Sequence, residues 1–247
     1  MRITFDWVAI PSGPFRMGTD LTQDPIAAHS DWAGKTELPQ HEVELAEYRI
    51  TRTLVTNEQW GCFLSETGYP WADRDKLWQD GLPPAKRTHP VVWVTWFDAM
   101  AFCTWAGVDL PSEAEWEKAA RGTDARLYPW GNHAPSLALA NFGLLVGDTT
   151  PVDRYPLGCS YYGLHDMAGN VWEWTGTVWG VEKNSPEFIY PYRADDGRED
   201  RLRKDVLRVV RSAGWKYSPE LIRAAARDWN LPTVRGSGLG FRVVTRK

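Results

Sequence analysis

Residues 163–175 read Gly-Leu-His-Asp-Met-Ala-Gly-Asn-Val-Trp-Glu-Trp-Thr, and they place the tightest constraint on what this chain can fold into. Trp172 and Trp174 alternate around Glu173. Such alternation belongs to an extended segment whose successive side chains point to opposite faces, so two indoles face one way and a carboxylate the other. Gly163 and Gly169 allow backbone turns that residues with a Cβ resist. A carboxylate beside a Gly-Asn turn with free carbonyls suits a hard cation, which takes about six to eight oxygens. The alternative is a metal-free, hydrogen-bonded turn.

The rest of the composition says how such a segment can be enclosed. Fifteen tryptophans are spread through every region of the 247 residues. Large rings contribute the most buried area per residue, so they can hold together a fold whose regular elements are short. Their scatter argues against a single aromatic binding box. With 43% hydrophobic residues and a mean hydropathy of -0.44, the chain reads as globular and long enough for one large domain, residues 1–247. A net charge of -4 supplies no dominant basic field, so nucleic acid is not an expected partner. No apolar run reaches the roughly 18 residues of a membrane span, and residues 1–6 lack a signal-peptide core. Cys62, Cys103 and Cys159 are too few and too scattered for a disulfide framework. A cytoplasmic location is the expectation.

In chain order, residues 5–10 and 15–17 read as strands around Pro11-Ser12-Gly13-Pro14, and residues 18–40 as a long polar surface loop. Residues 41–45 and 48–51 continue the sheet. Thr56 with Gln59, Thr95 with Asp98 and Ser112 with Glu115 mark three helix starts, two of them as capping boxes, with Gly68 a stop signal. Cys62 and Cys103 sit on helices as small apolar residues. Glu113, Glu115 and Glu117 read as charges complementing a helix N-terminus and not as paired catalytic acids. Residues 71–88 and 188–204 read as irregular, solvated loops, residues 151–155 as an edge strand, and residues 208–210, 221–227 and 239–244 as closing strands.

Residues 163–175 resemble the hallmark segment of the formylglycine-generating enzymes, the sulfatase-modifying factor family. Further segments match in family order: 7–18, Val55-Thr56-Asn57-Glu58-Gln59-Trp60, His89-Pro90-Val91-Val92, 110–117, Tyr128-Pro129-Trp130-Gly131-Asn132 and Gly240-Phe241-Arg242-Val243. The resemblance covers nearly the whole chain. It implies a compact α+β fold related to C-type lectins, with few helices, short antiparallel strands and long loops. It also implies a structural calcium ion held by Glu173 and the carbonyls of Ala168, Gly169 and Val171. The family's other calcium site uses an Asn, the next carbonyl and an Asp after a longer loop. Asn141 and Phe142 match its first half, and Asp148 follows after only seven residues.

The family's oxidase chemistry depends on two copper-binding cysteines near the C-terminus. The matching region, residues 211–223, contains none, and Cys159 is the last cysteine. Copper(I) is held by soft thiolates, so neither copper nor the usual oxidase activity is expected. The five histidines show no His-x-x-x-His spacing. What remains is a C-terminal surface with Trp215, Tyr217, Arg227, Asp228, Trp229, Asn230, Thr233 and Ser237. These residue types supply rigid aromatic area and adaptable hydrogen bonds, as binding surfaces do. The variable proteins of diversity-generating retroelements, similar in ending on Gly-Phe-Arg, display their binding residues in this stretch. The plain alternative is ordinary loop and core. The resulting expectation is a non-oxidase member of the fold that binds a protein or small ligand through its C-terminal loops. The alternatives are an enzyme of altered chemistry using non-cysteine ligands, as a metal-dependent oxidoreductase or protein modifier, and an accessory subunit.

Overall fold

The computed structural model describes residues 3–246. Its first strands, β1 (Trp7–Ile10) and β2 (Gly13–Met17), turn at Pro11-Ser12, then part company. β2 pairs with β3 (His41–Leu45), while β1 pairs antiparallel with β4 (Tyr48–Thr51). β4 also pairs with β9 (Val244–Thr245), so the two ends of the chain close one three-stranded sheet, β1-β4-β9. The second large sheet is built on β5 (Trp172–Gly180), buried at every position. Its order is β7 (Arg227–Asn230), β6 (Leu207–Arg211), β5, β8 (Leu239–Gly240), with only the β5–β8 pair parallel.

The three long helices start where the sequence marks them. α2 (Asn57–Thr67), α4 (Trp96–Ala106) and α5 (Glu113–Arg121) each open on a capping box, at Thr56/Gln59, Thr95/Asp98 and Ser112/Glu115. In each, the N-cap hydroxyl accepts from the third helical N–H, and the side chain at that position reaches back. α2 ends on Gly68 in the left-handed conformation. α2 and α4 join through rings: Trp60 stacks near Phe102 (5.9 Å) and both meet Phe241 edge-on, at 6.3 and 5.4 Å. Aromatic area replaces element length as the source of cohesion, and the mixed α+β architecture of short strands and long loops agrees with expectation.

Several loop readings need correction. Residues 18–40 include a short helix, α1 (Asp31–Thr36), and are anchored by buried charges. Asp24 and Glu37 hold the Arg223 guanidinium at 2.9 and 2.8 Å. Residues 71–88 contain one helical turn, α3 (Arg74–Leu77). Residues 151–155 form no strand, and of residues 221–227 only Arg227 belongs to one. Tyr190, Tyr192 and Arg198, expected in a solvated loop, are buried. Glu113 and Glu117 are fully buried too, and do more than offset a helix dipole. Glu113 meets Arg227 at 2.8 Å, and Glu117 meets Arg211 at 2.6 Å and Arg121 at 2.8 Å. Charges removed from water are tolerated only when paired and hydrogen-bonded, and the pairs to Arg227 and Arg211 tie α5 to the second sheet.

Candidate functional site

The hallmark turn is a junction. Gly169 and Asn170 both adopt left-handed conformations, φ 79° and 61°. A Cβ on Gly169 would lie 2.4 Å from the Asn141 carbonyl oxygen, so the close approach requires glycine. Asn170 is fully buried and ties three segments together. Its N–H donates to the Asn141 carbonyl (2.8 Å), its Oδ1 accepts from Thr150 N–H (3.0 Å), and its own carbonyl accepts from Trp215 N–H (2.9 Å).

Glu173 does point away from both indoles, but into the protein. Arg242 donates to its two oxygens at 2.7 and 3.0 Å, and to the carbonyls of Thr51 (3.2 Å) and His165 (2.9 Å). Burial pushes the Glu173 carboxyl up, and the guanidinium opposes that shift. With both oxygens and the charge already matched, and with the Gly169 carbonyl accepting from Ser212 Oγ at 3.1 Å, this donor set does not fit a calcium ion. Among the described residues, no three His, Cys, Asp or Glu side chains converge into a metal-holding group. One oxygen nearby is differently placed. Asn141 Oδ1 is buried without a hydrogen-bond partner, whereas Asp148 is turned outward to Lys86 at 2.7 Å.

The C-terminal residues do not form one surface. β7 and β8 are opposite edges of their sheet, and this separates Arg227–Asn230 from Ser237. Arg227 is core: it is 1% exposed, paired with Glu113, and flanked by the rings of Trp179 and Tyr190 at 5.1 and 4.7 Å. Asp228 is half-buried, its carboxylate accepts from Trp229 N–H (2.8 Å), and burial raises its pKa. Trp229 and Asn230 are half-buried, the indole packing beside Trp179, Leu207 and Val209. Thr233 is exposed. Trp215, Tyr217 and Ser237 do come together with the hallmark strand. The Trp215 indole donates to the Ser237 carbonyl (3.1 Å), and Tyr217, 40% exposed, meets Trp172 edge-on at 5.4 Å.

Beside Ser237 opens a groove of about 540 Å³ that the sequence reading missed. Leu77, Trp78, Pro83, Pro90 and Trp93 give it apolar walls, and Asn57, Lys86, Asp148 and Thr149 a polar end. Trp93 is its defining residue. Its φ is 62°, a region uncommon for a bulky side chain. The backbone is pinned on both sides: Trp93 N–H donates to the Gly236 carbonyl (3.0 Å), and its own carbonyl accepts from the Trp71 indole (3.0 Å). Lys76 places its ammonium 4.2 Å from the ring centroid. At the polar end His89 Nδ1 lies 2.9 Å from Thr149 Oγ1, and burial first, then the Lys86 ammonium, lowers its pKa. The one signal in the sequence is that Trp93 directly follows His89-Pro90-Val91-Val92.

Residues 3–247 match the family model of the sulfatase-modifying factor enzyme 1-like domain. The chain is 33% identical to the hercynine oxygenase of Mycolicibacterium smegmatis, over 96% of its own length and 60% of that protein's. It therefore spans less than two thirds of that relative. It is 32% identical to the formylglycine-generating enzyme of Bos taurus, over 95% of this chain and 73% of the other. Among solved structures, Treponema denticola variable protein 1 superposes with a TM-score of 0.71 at 24% identity, covering 98% of this chain and 95% of that one, a likeness of fold. With a family model spanning almost every residue and these relatives beside it, the chain belongs to the sulfatase-modifying factor enzyme family.

Proposed function

We propose that this chain is a non-oxidase binding domain of the family. Its site is the groove between Trp93 and the C-terminal loop that carries Gly236 and Ser237. The carrying observation is Trp93, a large ring held in a left-handed conformation by hydrogen bonds on either side, at the wall of a ligand-sized cavity. Strain of this kind persists where surrounding structure over-determines it, and it clusters at binding sites. Such cavities, mostly apolar with a few polar groups, are the common form of small-molecule sites.

A fragment screen by thermal shift, followed by crystallography of the hits, tests the reading. Ligands should lie against Trp93 and Ser237, and Trp93→Leu should lose them while remaining folded. Hits confined to the concavity around Arg74 and Gln79 would overturn it. A structural calcium stays in the proposal only at Asn141, whose Oδ1 is a buried oxygen without a hydrogen-bond partner. Added calcium should raise the melting temperature, by roughly 2.7 kcal/mol of stability at a hundredfold excess over Kd, and Asn141→Leu should abolish the response. Identical melting curves with calcium and with chelator would remove the ion from the reading.

The second reading, an enzyme of altered chemistry, draws on the 33% identity to a hercynine oxygenase. Metal analysis separates the two. Stoichiometric iron or copper in the purified protein supports catalysis, and neither metal above trace supports binding.

A further inference from the structure

Resting on the groove reading, we propose that the ligand is a planar aromatic compound carrying a carboxylate. The apolar walls are rich in rings. Trp93 and Trp78 present indoles, Pro83 and Pro90 present rings, and Trp78 is set edge-on against Trp71, centroids 5.0 Å apart at 73°. A groove lined by rigid rings accepts a planar molecule with little loss of side-chain freedom.

The charge around the slot decides the sign of the ligand. Lys76 lies above the Trp93 ring, and among the described residues no carboxylate pairs with it. Lys86 is matched by Asp148 at 2.7 Å, and Arg235 by Asp73 at 3.4 Å. Lys76, next in sequence to the lining residues Leu77 and Trp78, is therefore left over, its ammonium on a face of the Trp93 ring. A ligand ring lying on Trp93 would bring its carboxylate toward Lys76, exchanging an ammonium–ring contact for a charge-assisted hydrogen bond. An ammonium-bearing ligand would meet Lys76 as a like charge.

Titration of the full chain with 2-naphthoate, 2-naphthalenemethanol and 2-naphthylmethylammonium, followed by tryptophan fluorescence and calorimetry, tests this. The carboxylate should bind about three- to tenfold tighter than the alcohol, the range between an exposed ion pair and a charged hydrogen bond. The amine should bind most weakly. Lys76→Gln should bring carboxylate and alcohol to equal affinity, and Trp93→Leu or Trp78→Leu should weaken all three compounds. Either of those two variants serves if the other does not fold. Equal binding of carboxylate and alcohol by the parent, lost in Trp93→Leu, overturns the ligand class and leaves the groove reading standing. No binding by any compound, or binding that neither ring variant affects, also overturns the proposal, and the fragment screen then judges the groove by itself.

Discussion

Glu173 and Arg242 face each other with both side chains fully excluded from water. Removing one partner strands the other as a buried charge, at about 3–5 kcal/mol, or roughly 6–20 °C in melting temperature for a domain of this size. Glu173→Gln is expected to show that loss in thermal unfolding. Glu173→Leu combined with Arg242→Met should recover much of it, because an apolar pair leaves no charge behind. A Glu173→Gln curve that superimposes on the parent's would mean the pair contributes nothing. His89 gives a pH dependence. Its ring is held neutral in the fold, below its ordinary value, by burial and then by Lys86. The unfolded chain takes up that proton near the ordinary value of about 6.5. The stability from the neutral ring is thus present above that pH and is lost as pH falls through the lower folded-state value. Denaturant midpoints compared at about pH 8 and about pH 5 should fall by less in His89→Asn than in the parent, and equal falls would show that His89 is not the group. At this scale the alternation Trp-Glu-Trp makes the direction of Glu173 legible. Its partner is not, because Arg242 lies 69 residues on.

The helices α2, α4 and α5 were legible because their start signals are local: cap and third residue bond to each other within one turn. Ser112→Ala removes a hydroxyl that accepts from Glu115 N–H at 3.1 Å. It should cost about 1 kcal/mol, roughly 2–4 °C by differential scanning calorimetry. A variant melting with the parent would assign the start of α5 to tertiary packing alone. α1 and α3 escaped sequence reading for the opposite reason. They have six and four residues, too short to nucleate by themselves. Neighbours hold them instead: the Arg223 guanidinium donates to Glu37 just beyond α1, and Arg235 pairs with Asp73 just before α3. Residues 188–204 misread similarly, because Arg198 and Tyr190 look solvated until buried carboxylates and arginines appear around them.

For the whole molecule, the absence of cysteine after Cys159 carries a direct expectation. Supplied with copper and oxygen, the purified protein should not convert a Cys-x-Pro-x-Arg peptide to formylglycine. Copper-dependent product above a heat-killed control in mass spectrometry would contradict it. Among the described residues no helix is long and apolar enough to cross a membrane. The sequence alone determined the family, the mixed fold, the three capped helices and the absence of cysteine after Cys159. Each of these is written in residue identity or in spacing within a turn or strand. The tertiary structure decided which charges are core and which residues share a site. β7 and β8 flank the sheet from opposite edges, so residues ten apart in the chain, Arg227 and Ser237, separate into an ion-paired interior and a groove rim. Trp93 enters that groove through a left-handed backbone that no residue type announces. It is stabilised by hydrogen bonds from Trp71 and to Gly236, groups that only folding brings near.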